Sequence, residues 1–388
     1  MKLFKKLLIL SSGLSFILPT ASASELFNIE AMSSYKRSEK KAKNFNSNSF
    51  INVHNSADVI SKTNPNPLEP NLNSIEAGSF SSTTSMKGKV EALLAAQHSE
   101  AGPEAWMLNY HYEVDLNTSF TGDDKLNIEL AAGNQTANSV AALTDPLGET
   151  SENLHIEDVN YTFPLGSWKV AVGESMDASK TWPNACAYGN VVDNMGDCGA
   201  SNSVDLGGDV SISAARSFDN GLVLGLGASA DDADTPSGAF TEEGDDRYGV
   251  ALGYETDTYG ITVAFTTIDD GAASDTYVGA TGYYSPESFP FILSGGYEKM
   301  NADLPTTENT KQWTIGISTE FGPGEISAGY GTNGAIADDA EDSLYAYEVK
   351  YSYPINDGMT LDSYAFVAES AAGLEDTQGL GFLTTFKF

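Results

Sequence analysis

The residues able to do chemistry are few and scattered. Four histidines, His54, His98, His111 and His155, and two cysteines, Cys186 and Cys198, are set among 54 Asp and Glu residues. No histidine stands in a His-Glu-x-x-His pair. Neither a Gly-x-Ser-x-Gly turn nor a phosphate-binding glycine loop is present. His111 could pair with Glu113 in a hydrolase, but both lie on the polar parity of their stretch, and His111 reads as a histidine in water. Asp231, Asp232, Asp234, Asp245 and Asp246 could offer oxygens to Ca²⁺; their spacing departs from an EF-hand loop, and a solvated loop is the expected state. The two cysteines, with no histidine nearby, are too few for zinc. They suit a disulfide that stiffens a loop, since closing about a dozen residues removes about 3 kcal/mol of unfolded-state entropy. The alternative is two free thiols. No enzyme activity, cofactor or metal is expected.

The elements that position these residues follow a leader. Lys2, Lys5 and Lys6 precede a largely apolar stretch from Leu7 to Leu18, and Ala21-Ser22-Ala23 supplies small residues for cleavage. This predicts a secretory signal peptide over residues 1–23, and export permits the disulfide. An uncleaved helical anchor is opposed by Ser11, Ser12, Gly13 and Pro19. Residues 24–75 carry the basic cluster Lys36, Arg37, Lys40, Lys41 and Lys43, then Pro65, Pro67 and Pro70, with no sustained period. They read as a flexible periplasmic arm whose charges are solvated or make a weak contact with an acidic cell-wall polymer. Five acids and nine bases precede Glu76, leaving 49 acids against 11 bases in residues 76–388. That shift marks a boundary, and no nucleic acid is expected among the partners of so acidic a segment.

From Glu76 onward, period-two alternation takes over. Trp106, Leu108, Tyr110, Tyr112, Val114 and Leu116 share one parity; Asn109, His111, Glu113 and Asp115 share the other. The pattern returns with Leu126, Ile128 and Leu130, with Val250, Leu252 and Tyr254, and with Trp313, Ile315 and Ile317. It ends with Leu380, Phe382, Thr384, Phe386 and Phe388 on one face. Sixteen stretches of about ten residues can be counted, the length a tilted membrane strand needs and an even number, as in bacterial single-chain barrels. No apolar run near 20 residues follows the leader, which excludes a helical membrane protein. The expected fold is therefore all-β: a transmembrane antiparallel β-barrel over residues 76–388, with outer-membrane lipid against its apolar face.

The connections alternate between short turns, such as Asp219-Asn220-Gly221 and Gly322-Pro323-Gly324, and long acidic loops, such as Asp231 to Asp245 and Thr332 to Glu341. Short periplasmic turns and long external loops set the orientation. The connection from Asp177 to Val204 is then a long third external loop. A third loop folded into the barrel resembles the constriction of general porins, and its charges Asp177, Lys180, Asp193 and Asp197 are the candidates for a pore throat. On the polar parity, Glu91, Glu113, Asp115, Glu255, Asp257, Glu298, Glu320 and Glu348 are expected to face the lumen, with Lys89, Lys169 and Lys350. An acidic lumen favours cations.

The segment Glu76-Ala77-Gly78-Ser79-Phe80 through Met86 and Gly88 resembles the first barrel strand of cyanobacterial porins of the carbohydrate-selective, OprB-type family. Tyr110-His111-Tyr112-Glu113-Val114-Asp115-Leu116-Asn117-Thr118-Ser119-Phe120-Thr121-Gly122-Asp123-Asp124 resembles the same family. The aromatic end, Phe382, Phe386 and Phe388, resembles the sorting signal of bacterial outer-membrane proteins. The resemblance implies a sixteen-stranded barrel in the outer membrane of a cyanobacterium, passing ions and small hydrophilic solutes, carbohydrates among them, and compatible with a homotrimer. Relatives typically carry an S-layer-homology domain and a helical coiled coil before the barrel; residues 24–74 are too short for both and show no S-layer-homology pattern. The alternative reading is an exported soluble or surface-layer β-protein without channel activity.

Overall fold

The computed structural model describes residues 84–98, 105–134, 152–231, 244–340, 343–370 and 374–388, with positions 233, 235, 236, 238, 239 and 241. All lie in the second of the two units into which the chain divides, Ala77–Phe388. The leader and arm expected over residues 1–75 fall outside the described residues.

The strands are β1 (Thr84–His98), β2 (Trp106–Thr118), β3 (Lys125–Gly133), β4 (His155–Leu165), β5 (Trp168–Glu174), β6 (Val210–Ser217), β7 (Leu222–Ala230) and β8 (Asp245–Glu255). They continue with β9 (Tyr259–Asp270), β10 (Ser274–Tyr284), β11 (Phe291–Asn301), β12 (Thr310–Phe321), β13 (Gly324–Thr332) and the two-residue β14 (Ile336–Ala337). The last are β15 (Tyr345–Asn356), β16 (Met359–Ala368) and β17 (Thr377–Lys387). Sixteen of them form one closed antiparallel barrel, and β14 is a short addition to β12 within a loop. Closure is at β1, which pairs with β2 on one side and β17 on the other. The final residue completes the seam: the Phe388 amide donates to the Gly88 carbonyl at 3.0 Å, and the Gly88 amide to the Phe388 carbonyl at 2.9 Å. A Cβ on Gly88 would stand 2.4 Å from the Phe388 ring, so the glycine makes room for the terminal aromatic.

The alternation sorts each strand into two faces. Leu108, Ile261 and Ile315 are half or more exposed, while their neighbours Asn109, Thr262 and Thr314 are buried. Exposed apolar side chains on a closed barrel face lipid. Aromatics gather at both edges of that face. Phe120, Tyr161 and Phe163 cluster near the turns, as do Phe321, Tyr351 and Tyr353. Trp313, Tyr330, Tyr345 and Tyr347 cluster toward the opposite edge. Phe382 stacks on Trp106 at the same outer edge. Phe386 and Phe388 are exposed at the turn edge.

Two expectations about connections need correction. The β9–β10 loop, residues 271–273, is shorter than the β10–β11 turn, residues 285–290, so the length alternation has an exception. Its cause is local: the Asp270 carboxylate accepts the amides of Ala272 at 3.0 Å and Ala273 at 2.8 Å, and Gly271 takes φ +71°. Asp257, expected to face the lumen, sits instead in the β8–β9 turn, because β8 ends at Glu255 and the Thr256 hydroxyl organises residues 256–259.

Candidate functional site: the third loop and the lumen wall

The connection after β5 runs over residues 175–209 and folds against the inner face of the barrel. Its two limbs are zipped at the base: the Ala178 amide donates to the Gly207 carbonyl at 2.8 Å, and the Ser179 hydroxyl to Asp205 at 2.9 Å. Further along, a disulfide joins Cys186 to Cys198 and ties the outgoing limb to the returning one. The short helical stretch Asp193–Gly199 forms the return.

The wall has been cleared for this loop by glycines on the inward parity. A Cβ on Gly225, Gly227 or Gly249 would stand 2.7, 2.1 and 2.7 Å from its nearest neighbours, and Trp182 lies against all three. Pro183 stands where the Gly253 Cβ would be. The Tyr188 ring lies on Gly316 and Gly329, and Ser203 on Gly279. Further round, Val191, Val192 and Met195 pack with Leu93, Ala346, Tyr364 and Phe366. Leu93, Ala346, Tyr364 and Phe366 face inward and form the seat of the loop.

Two carboxylates on the wall pin the loop. Glu348 accepts the Tyr188 hydroxyl at 2.5 Å and the amides of Val191 and Val192 at 2.9 and 2.6 Å. Glu298 accepts the amides of Asn202 and Ser203 at 2.9 and 2.6 Å, and the side chains of Asn202 and Gln312 at 3.0 Å each. Both are expected to face the lumen; they face inward but lie buried beneath the loop, Glu348 accepting three hydrogen bonds and Glu298 four. Lys350 donates to the Gly189 carbonyl at 2.9 Å and belongs to the same anchorage.

Of the throat candidates, Lys180 reaches from the loop to Asp158 on β4 at 2.9 Å. Asp177 lies near Asp205, and burial followed by the Asp205 charge raises its pKa. Asp197 has φ +47° and accepts the Asn184 side chain at 3.0 Å. Burial, then the charges of Asp205, Asp177 and Glu298, push its carboxyl up to about 6, against the pull of the Asn184 bond. Asp193 opens the helical stretch.

The wall from β1 to β4 carries a second group of charges. Lys89 pairs with Glu113 at 2.7 Å and stands 3.6 Å from Glu91, which in turn lies 3.7 Å from His111. Asp115 on β2 is directly opposite Glu129 on β3, and Glu129 is directly opposite Asp158 on β4. Amides organise this row: Asn127 donates to Asp115 at 2.7 Å, and Asn160 to Asp158 at 2.7 Å. Glu129, Asp158, Asn127 and Asn160 were not singled out from the sequence. The signal was there, since Leu126, Ile128 and Leu130 on the outer parity of β3 place Glu129 on the inner one. Lys169 and Glu320 lie at the turn end of their strands and are exposed; Glu255, at the same end, accepts the Tyr283 hydroxyl at 2.9 Å. Among the described residues no group of three or more His, Cys, Asp or Glu is arranged to hold a metal ion. Asp231 pairs with Arg247 at 2.6 Å rather than with its acidic neighbours, and Asp245 and Asp246 lie in β8.

A closed sixteen-stranded antiparallel barrel with a lipid-facing apolar surface, and a long loop turned inward against a charged wall, defines a porin-type outer-membrane channel. Residues 162–372 match the model of the Gram-negative porins, and the chain belongs to that family. Its fold is similar to a loop-deletion mutant of OmpT, an outer membrane protein of Vibrio cholerae, at TM-score 0.58 and 10% identity, over 79% of this chain and 99% of that one. In vitro-folded OmpT in its trimer form gives 0.55 at 10% identity, over 79% and 99%. A mutant of the Rh. blastica porin gives 0.50 at 16%, over 79% and 100%. No curated protein matches the chain.

Proposed function

We propose that this channel is cation-preferring, with its throat between the third loop and the β1–β4 wall. The observation that carries the reading is the row Asp115, Glu129 and Asp158, with Glu113 beside it, facing a loop that bears Asp177 and Asp197. Lys89 lies between Glu113 and Glu91 and Lys180 pairs with Asp158, which leaves the acids in excess. Fixed carboxylates in a narrow aqueous path lower the potential for passing cations. Small uncharged solutes, sugars of the kind the OprB-type resemblance implies among them, pass by diffusion without a dedicated site. A homotrimer in the outer membrane of a cyanobacterium, with the basic arm touching the cell wall, completes the reading; the trimer form of OmpT supports the assembly by analogy.

Purified, refolded barrel added to a planar bilayer should give stepwise conductance, and proteoliposomes carrying it should swell in small sugars. Folded, heat-modifiable barrel that gives neither steps nor swelling would overturn the open-channel reading. A barrel that gives ion steps without swelling would confine it to ions.

A further inference from the structure

The outer surface carries a feature that transport does not use. Lys299 on β11 shares its face with Leu293 and Tyr297, and Lys311 on β12 shares its face with Trp313, Ile315 and Ile317. That face meets lipid. The two lysines are directly opposite each other in the β11–β12 register, at the loop end of both strands. Like charges directly opposite across a strand pair are unfavourable. Asp338, from the loop after β13, answers them: it pairs with Lys299, and Lys311 donates to its backbone carbonyl at 2.9 Å. One carboxylate against two ammonium groups leaves a net positive site on the rim of a chain whose formal charge is -34.

Immediately below, between the aromatic edges, the same face is hollow. Gly282 on β10 and Gly295 on β11 are directly opposite each other, Ala280 extends the floor between walls made by Ile261 on β9 and Ile315 on β12, and Ala328 on β13 lines the groove on the far side of β12. The groove holds about 1070 Å³. Gly295 lies four residues below Lys299, about 13 Å along the strand at the usual rise. A cationic rim over an apolar trough at that depth has the layout of a lipid: a headgroup at the water boundary and a chain in the hydrocarbon.

We propose that the β9–β13 face binds an anionic, phosphate-bearing lipid of the outer leaflet, its phosphate on Lys299 and Lys311 and an acyl chain over Gly282 and Gly295. Charge complementarity selects the anionic headgroup, because basic residues at a membrane boundary attract anionic lipids. The small floor residues select an acyl chain over the flat packing of a neighbouring barrel. Asp338 sets the strength by competing for the same ammonium groups.

Native mass spectrometry of the detergent-extracted barrel, titrated with lipid A as a bisphosphorylated glycolipid and with phosphatidylcholine as a zwitterionic control, tests this. Wild-type barrel should retain lipid A in preference to phosphatidylcholine. Affinity should fall about fivefold for each lysine removed in Lys299→Gln and Lys311→Gln. It should fall likewise in Ala280→Leu with Ala328→Leu, which fills the groove without altering a glycine, and rise in Asp338→Asn. Equal retention of the two lipids, or lipid A binding indifferent to the lysine variants, would overturn the headgroup assignment. Binding that survives the filled groove would overturn the chain assignment. Dimers abolished by Ala280→Leu would show the face to be a contact between copies instead. Asp338→Asn leaves every strand untouched, so an unchanged affinity there counts against the proposal even if the lysine variants fail to fold.

Discussion

Asp197 is the residue whose protonation state the channel should report. Its half-buried position beside Asp205, Asp177 and Glu298, with a single amide donor in support, pushes its carboxyl up to about 6. Lowering the pH from 7 to 5 should therefore neutralise it, and cation preference should weaken through about pH 6. Asp197→Asn should remove that step from the pH profile of the reversal potential; a step that persists in the variant would assign it to another carboxylate. The sign for stability is the reverse of the usual carboxylate case. The folded form holds a proton that the unfolded chain, near 3.8, releases, so acidification from about 6 toward 4 adds stability at this position, and it is lost again as pH rises through 6. Glu348 acts differently, as the anchor of Tyr188, Val191 and Val192. Charge-assisted bonds of this kind contribute about 1.5–3 kcal/mol. Glu348→Gln should loosen the loop by about that amount and appear as added noise on the open-channel current. Quiet current in that variant would mean the glycine-lined wall holds the loop alone. The parity of Glu348 was readable in the sequence, but its use was not: nothing in a period-two pattern says which inward carboxylate a distant loop will cover.

At the scale of elements, the third loop and the wall beneath it form one unit. The loop's length and its cysteine pair stood out in the sequence, and the disulfide is present. What did not stand out was the seat. Gly225, Gly227, Gly249, Gly253, Gly316 and Gly329 occupy inward positions where a polar lumen would ordinarily carry polar side chains, and their meaning appears only when Trp182, Pro183 and Tyr188 are found lying on them. Gly316→Leu tests the fit. A Cβ there would be 2.2 Å from the Tyr188 ring, so the loop must move off the wall while the barrel, whose strands keep their pairing, remains closed. Single-channel conductance should rise above that of the wild type, and heat-modifiable migration should be retained. Unchanged conductance would show that this part of the loop does not limit the path. The strands themselves were legible because lipid and water on opposite faces impose alternation on every one of them. β1 and β16, the faintest patterns, are nonetheless full strands, since closure supplies partners on both sides.

At the scale of the molecule, the charge distribution and the topology lead to one behaviour. The barrel segment holds 49 acids against 11 bases. The loop covers the inner wall from β6 round to Leu93 on β1 and meets the β2–β4 acids, among the described contacts, only through Lys180 on Asp158. A cation crossing the barrel therefore passes the row Asp115, Glu129 and Asp158 at close range. The alternation of short and long connections was legible in the sequence, with its exception at β9–β10; the uneven covering of the lumen was not, because it depends on contacts between segments more than a hundred residues apart. The direct measurement is the reversal potential of the refolded wild-type barrel in a planar bilayer under a KCl gradient. A potential of the sign set by K⁺, reduced in Asp115→Asn with Glu129→Gln, is the expected result. A potential of the sign set by Cl⁻ would contradict an acid-lined throat.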